Sequence, residues 1–433
     1  MKEPFIEHGR AGPGEGVLAG WRAGPDSRRV GTASEDRDAG AMTVAERSEQ
    51  KQKPGVARLA GIDLARGLAV FGMFAAHVGP DPSEPGVVGG LMELASGRSS
   101  ALFATLAGLS LAIISGRQEP ATGQAGRQAV AKIVIRAVVL LLLGTAMTMT
   151  GTSVVVILAY YGLFFLLALP FTRMRTTGLA IAAAVWAVAG PQLSFVVRAA
   201  LDRSGWTELI DASDPIRAVG GDGVLQLLFT GSYPAATWMP YVLAGLALGR
   251  LDLTALVNRT RLMIIGPVLG VLGYGGSALA LLVFGGPDLT SGPWEKVSEL
   301  TGGTGGVQTG AVSTDSAGWL LVASPHSGTT FEVVGNIGVA ITVVVAALAV
   351  AERFGRWCRP VTAVGTMSLT VYTLHVVAIG VLGLSAVPGE PLPVLLGFIA
   401  GAVAFALVWS RFFRKGPLEF VLAKATAPAR RVS

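Results

Sequence analysis

The sequence predicts an all-α polytopic integral membrane protein with about ten transmembrane helices and both termini in the cytoplasm. Three observations lead there. Hydrophobic residues make up 51% of the chain and charged residues 14%, whereas a soluble domain carries roughly 25% charge. The apolar residues fall into runs near the ~20 residues that cross a bilayer core as helix. Lipid offers the backbone no partner, so such runs must be helices. Finally, Lys and Arg concentrate in alternate breaks between the runs, as topology requires.

The elements follow in order. Residues 1–57 are polar, charged and Gly-rich, without the apolar core of a signal peptide, and read as a disordered cytoplasmic tail. Met42 is a second plausible start within it. A membrane domain spans 58–415, with helices expected near 62–79, 99–115, 133–150, 154–170, 178–199, 224–249, 262–284, 331–351, 361–384 and 394–413. Residues 416–433 form a cytoplasmic C-terminal tail. The breaks carrying Arg117 and Arg127, Arg173 and Arg175, Arg259 and Arg261, Arg353 and Arg356, and Arg414 and Lys415 belong inside. The intervening breaks, with Asp81, Glu93, Asp202, Asp211 and Asp315, belong outside. The expected location is the inner or plasma membrane. The long outer segment 285–330, with Trp294, Trp319 and His326, is expected to form or cover a binding mouth.

The net charge of +6 does not indicate nucleic acid, because the basic residues sit at the ends of apolar runs, where they meet lipid headgroups. The single cysteine, Cys358, excludes an internal disulfide and reads as a solvent-side or interfacial thiol. Motifs for nucleotide hydrolysis, dinucleotide binding and zinc are lacking.

Ionisable residues inside membrane spans are functional candidates, since their desolvation is costly. The first helix carries Asp63 and Arg66, spaced i, i+3 near its inner end. His77 follows about 16 Å further along and returns to nearly the same face. The ninth helix carries Ser368, Tyr372 and His375 on one face. That stripe suits either interhelical hydrogen bonding or chemistry. Tyr160 and Tyr161 lie too deep to be interfacial anchors. Arg98, Tyr233, Glu332 and Asn336 sit at outer helix ends, Arg98 against the positive-inside rule.

The segment Arg58-Leu-Ala-Gly-Ile-Asp63-Leu-Ala-Arg66-Gly67 resembles the opening of the heparan-alpha-glucosaminide N-acetyltransferase-like proteins and their bacterial relatives. Further matching segments follow in order: Gly97-Arg98-Ser-Ser-Ala-Leu-Phe103, Ile157-Leu-Ala-Tyr160-Tyr161-Gly162, Thr230-Gly-Ser-Tyr233-Pro234, Gly245-Leu-Ala-Leu-Gly249-Arg250, Val334-Gly335-Asn336 and Thr370-Val-Tyr372-Thr-Leu-His375. The spacing of Asp63, Arg66 and His77 is also similar to the first helix of the acyltransferase-3 family. The resemblance implies an acyltransferase that takes an acetyl or short acyl group from cytoplasmic acyl-CoA and delivers it to a sugar or envelope glycolipid outside. Acetyl-CoA would be a co-substrate rather than a tightly bound cofactor, and no metal is implied. The partners would be membrane lipids, acyl-CoA and a glycan or glycolipid acceptor; dimerisation is left open.

Under that resemblance His77 is the expected catalytic base, with His375 orienting it or touching the thioester. Arg66 and Arg136 would bind CoA phosphates. Asp63, Arg98, Tyr160, Tyr161, Tyr233, Asn336 and Tyr372 are the candidates for substrate binding. One departure stands out: the animal enzymes carry their catalytic histidine in the loop after the first helix, and residues 80–98 here contain none. A transporter or flippase for an envelope lipid or small solute fits the polar central path too, as does a non-catalytic scaffold.

Overall fold

The computed structural model describes residues 54–285, 310–386 and 388–432. The expected N-terminal tail lies outside them up to residue 53, as do Trp294 and most of the long Gly-rich segment. Every regular element among the described residues is helical.

The chain starts with α1 (Pro54–Val78), followed by α2 (Val87–Ala95) and α3 (Arg98–Ile114). Next come α4 (Gly123–Thr148), the short α5 (Leu158–Leu167) and α6 (Thr176–Ser204). Two surface helices, α7 (Trp206–Ser213) and α8 (Pro215–Ala218), lead to a π-turn at Gln226–Thr230 and then α9 (Ala235–Arg250). A second π-turn joins α10 (Leu256–Gly270) to α11 (Gly276–Phe284). The rest comprises α12 (Thr330–Phe354), α13 (Arg359–Thr366), α14 (Ser368–Leu382), α15 (Leu392–Phe412) and α16 (Pro417–Ala425).

Each of the ten expected segments has a helical counterpart. Among the described residues, seven helical stretches are long and apolar enough to cross a membrane, or eight if the α13–α14 pair, bent by 86°, is one span. The two counterparts outside this set are α5 and α9, with 10 and 16 residues. All sixteen residues of α9 are buried, so its apolar sequence serves contact with other helices. Hydropathy cannot separate that case from a lipid-facing span.

Small residues let the helices meet. A Cβ at Gly108 on α3 would lie 2.0 Å from the Val242 carbonyl oxygen of α9, and one at Gly245 would lie 1.8 Å from that of Thr105. The two backbones touch there, as small residues permit in membrane bundles. The α9 C-terminus is held by Arg250, 2% exposed. Its guanidinium donates to the carbonyls of Ser115, Arg117 and Thr172 and to the Ser115 hydroxyl.

α1 occupies the middle, packed on α3, α12 and α13. Of its span, 61% is buried, against 11% for α15. The outward faces of α6, α10 and α11 expose Ile181, Val185, Val268, Leu279 and Phe284. That much exposed hydrocarbon is what a lipid environment requires. Cys358 is buried, its thiol near the Val350 carbonyl, and is not solvent-facing.

The C-terminal residues 417–431 are not separate from the bundle. α16 and the following 3-10 turn pack on α14 and α4, and Gln128 donates to the carbonyls of Arg430 and Val432.

Candidate active site

Asp63 and Arg66 form the ion pair their spacing implies, at 2.7 Å. Arg66 also donates to Ser110 on α3 at 2.7 Å. Around it lies a cavity of about 430 Å³, walled by α1, α3, α4, α5, the α13–α14 bend and α16. Arg66, Arg136 and Lys415 bring three cations to it, and Glu419 one carboxylate. Arg136 sits within electrostatic reach of Arg66 and Glu419. Neither Arg136 nor Lys415 has a side-chain hydrogen bond or ion pair with another described residue. A roomy cavity holding uncommitted cations is a place for an anion of several charges.

Glu419 has its own task. The sharp bend leaves the first N–H groups of α14 without partners. Glu419 accepts from the Leu369 and Thr370 N–H groups at 2.8 and 3.1 Å and from the Thr370 hydroxyl. It therefore caps the helix that carries His375 from fifty positions away.

The two candidate bases meet. His77 Nδ1 lies 3.0 Å from His375 Nε2, across nearly parallel rings. His375 is 3% exposed; its Nδ1 bonds the Tyr372 carbonyl. A carbonyl only accepts, so His375 Nδ1 carries hydrogen. In the neutral ring its Nε2 is then the acceptor, and His77 Nδ1 must donate to it. The lone pair of neutral His77 is thereby fixed on Nε2, away from His375. Phe74 packs on the His375 ring at 4.8 Å between centroids. His375 is also the one polar side chain on a second cavity of about 490 Å³ between α14 and α15. It does not line the basic cavity.

A third histidine, which the sequence offered only as a loop residue, joins them. His326 lies close enough to His77 for the imidazoles to interact electrostatically. It is one of two non-glycine residues with positive φ among the described residues, at 60°. Its ring stacks on Trp238 and meets Tyr233 edge-on. Burial there pushes its pKa down to about 4. Glu332 holds the loop in place by accepting from the His326 and Gly328 N–H groups, the Ser327 hydroxyl and the Asn336 amide. Scarcity was the available signal: the chain has only four histidines.

The other candidates divide by what they touch. Arg98 donates to the Tyr274 hydroxyl, which donates to Asn336, which reaches Tyr241 and Glu332. Arg98 and Asn336 thus brace the loop that carries His326. Tyr233 packs on Tyr160 and Trp238. The Tyr160 hydroxyl is engaged with Asp222. Burial raises the Asp222 pKa, while Arg217 and Tyr160 oppose the rise. The Tyr372 hydroxyl accepts from the Ile157 N–H at 3.2 Å. Tyr161 alone of this group lines the basic cavity.

Residues 58–273 match a family model described as heparan-alpha-glucosaminide N-acetyltransferase, catalytic. The chain belongs to this acetyltransferase-like family. Residues 294–428 match a second model, described as a protein of unknown function (DUF418). No curated protein matches the chain. The family and the apolar helices together make this a multi-pass membrane protein of acetyltransferase type. The first matched segment supplies Arg66, His77, Arg136 and Tyr161; the second supplies His326, His375 and Lys415. The hydrogen bond between His77 and His375 therefore joins the two segments of this family member.

Proposed function

We propose that this protein moves an acetyl or short acyl group from acyl-CoA, held in the basic cavity, to a hydroxyl or amine of a glycan or glycolipid acceptor. The basic end faces the cytoplasm in this reading, and the histidines lie toward the far side. The observation that carries it is the His77–His375 hydrogen bond, which leaves Nε2 of His77 as a lone-pair base of fixed direction.

His77 Nε2 takes the acceptor proton as the acceptor oxygen or nitrogen attacks the thioester carbon. The imidazolium that forms still donates through Nδ1 to His375, which spreads the new charge. Collapse of the tetrahedral adduct breaks the carbon–sulfur bond, and the CoA thiolate recovers the proton from His77. Arg66, Arg136 and Lys415 neutralise the CoA phosphates.

The test is purified protein in detergent with radiolabelled acetyl-CoA and a cell-envelope extract. Transfer of label to an extractable glycan or lipid, lost in His77→Ala, is expected. Folded protein that transfers no label and shows no thermal shift with CoA would overturn the proposal and leave a transport role in its place.

A further inference from the structure

The Tyr161 hydroxyl is buried without any hydrogen-bond partner among the described residues, and the residue is 2% exposed. Buried phenols ordinarily find a partner, because an unmet one costs stability. A phenylalanine would fill the same space without that cost. The ring is also held still: it stacks on Phe103 at 5.7 Å and meets Phe164 edge-on at 5.8 Å. Its neighbour Tyr160 spends its hydroxyl on Asp222, and Tyr372 spends its own on the Ile157 N–H.

Its location gives the unmet hydroxyl a use. Tyr161 lines the cavity that holds Arg66 and Arg136. It also lies within electrostatic reach of Tyr372, the residue whose carbonyl holds His375. It therefore belongs both to the wall of the basic cavity and to the neighbourhood of the histidine pair. A thioester whose phosphates rest on those cations shares this cavity with the phenol.

We infer that the Tyr161 hydroxyl donates to the thioester carbonyl oxygen of bound acyl-CoA and stabilises the oxyanion formed during transfer. This rests on the acyl-CoA reading above and adds a catalytic residue to it. As the acceptor adds to the carbonyl carbon and its proton passes to His77, the carbonyl π electrons move onto oxygen. Tyr161 donates to that oxygen without losing its hydrogen. The electrons return as the carbon–sulfur bond breaks. A donor preplaced in a dry site needs no reorganisation at that moment.

The experiment compares acetyl-CoA with S-ethyl-CoA, which lacks the carbonyl oxygen, by calorimetry on wild type and Tyr161→Phe in nanodiscs. Wild type should prefer acetyl-CoA by roughly two- to tenfold, the worth of one neutral hydrogen bond. Tyr161→Phe should bind both alike, and its transfer rate should fall roughly 100- to 1000-fold. Its melting temperature should stay level or rise, because an unmet polar atom has gone. The infrared carbonyl stretch of bound acetyl-CoA should move up in the variant. Equal binding of the two ligands by wild type with transfer intact would overturn the role of Tyr161 alone. So would a variant that loses stability and both affinities together, since that marks packing only. Wild type that binds neither ligand would overturn the acyl-CoA reading as well.

Discussion

The basic cavity and the histidine pair are opposite environments served by one helix. Arg66 and His77 both stand on α1, yet Arg66 opens onto a cavity with two further cations, while His77 is bonded to an imidazole that is almost fully buried. The cavity is mobile chemistry: long side chains, few fixed partners, charge screened by salt. The histidine pair is fixed chemistry, each nitrogen but one assigned by a neighbour. A site divided this way separates holding the donor from activating the acceptor. Substitutions at the two ends should then move different kinetic quantities.

The largest effect belongs to the base. His77→Ala should lower the transfer rate roughly 100- to 10,000-fold, with CoA affinity in calorimetry unchanged. His375→Ala should cost less, because the lone pair of His77 remains although its direction is lost. If His77→Ala keeps near-wild-type turnover while His375→Ala abolishes it, the roles are reversed and the acceptor enters by the α14–α15 side.

The loop histidine sharpens the contrast through pH. With a folded pKa near 4 against an ordinary 6.5, His326 takes up a proton more readily in the unfolded chain. Its neutral form supports the fold fully above about pH 6.5. That support is lost as pH falls toward 4, by up to roughly 3 kcal/mol. His77, Tyr233 and Glu332 are the titratable groups around it. His326→Asn keeps a residue that tolerates positive φ and removes this titration. Thermal unfolding between pH 4 and 7 should be flatter in the variant; an unchanged slope would show that His326 is not held neutral.

At the other end, Arg136→Ala should weaken CoA binding roughly 10- to 100-fold, the range of a charge-assisted hydrogen bond. The loss should shrink as salt is added. The melting temperature should hardly move, since Arg136 supports no other described side chain by hydrogen bond or ion pair. A drop in transfer rate at saturating CoA, with affinity intact, would break the division between the two ends.

Part of this site was legible because it obeys helical spacing. Asp63, Arg66 and His77 share one face of one helix, and Ser368, Tyr372 and His375 share another, so periodicity alone placed each set together. That the two sets meet in a hydrogen bond is a tertiary fact, which spacing along one helix cannot carry. His326 sits at a strained loop position, where periodicity says nothing. The cation Lys415 was read only as a topology anchor, because a lysine at a helix end looks the same in either role. The side of the membrane each end faces rests on the charge alternation alone.

Glu419 is the residue least visible to sequence and the one that ties the two ends together. It caps α14, which carries His375, while its carboxylate shares the cavity with Arg66, Arg136 and Lys415. Glu419→Gln keeps the shape but removes the charge. Its effects should carry opposite signs. Loss of the charged cap should destabilise the protein by about 1–2 kcal/mol, the range of a helix cap, read as a lower midpoint in thermal unfolding. Loss of the one carboxylate among three cations should tighten CoA binding, read in calorimetry at low salt. Destabilisation together with weaker CoA binding would mean that the cap shapes the cavity more than its charge opposes the ligand. Unchanged stability would mean that the α14 N-terminus is satisfied without Glu419, and the two ends would then be coupled through α1 alone.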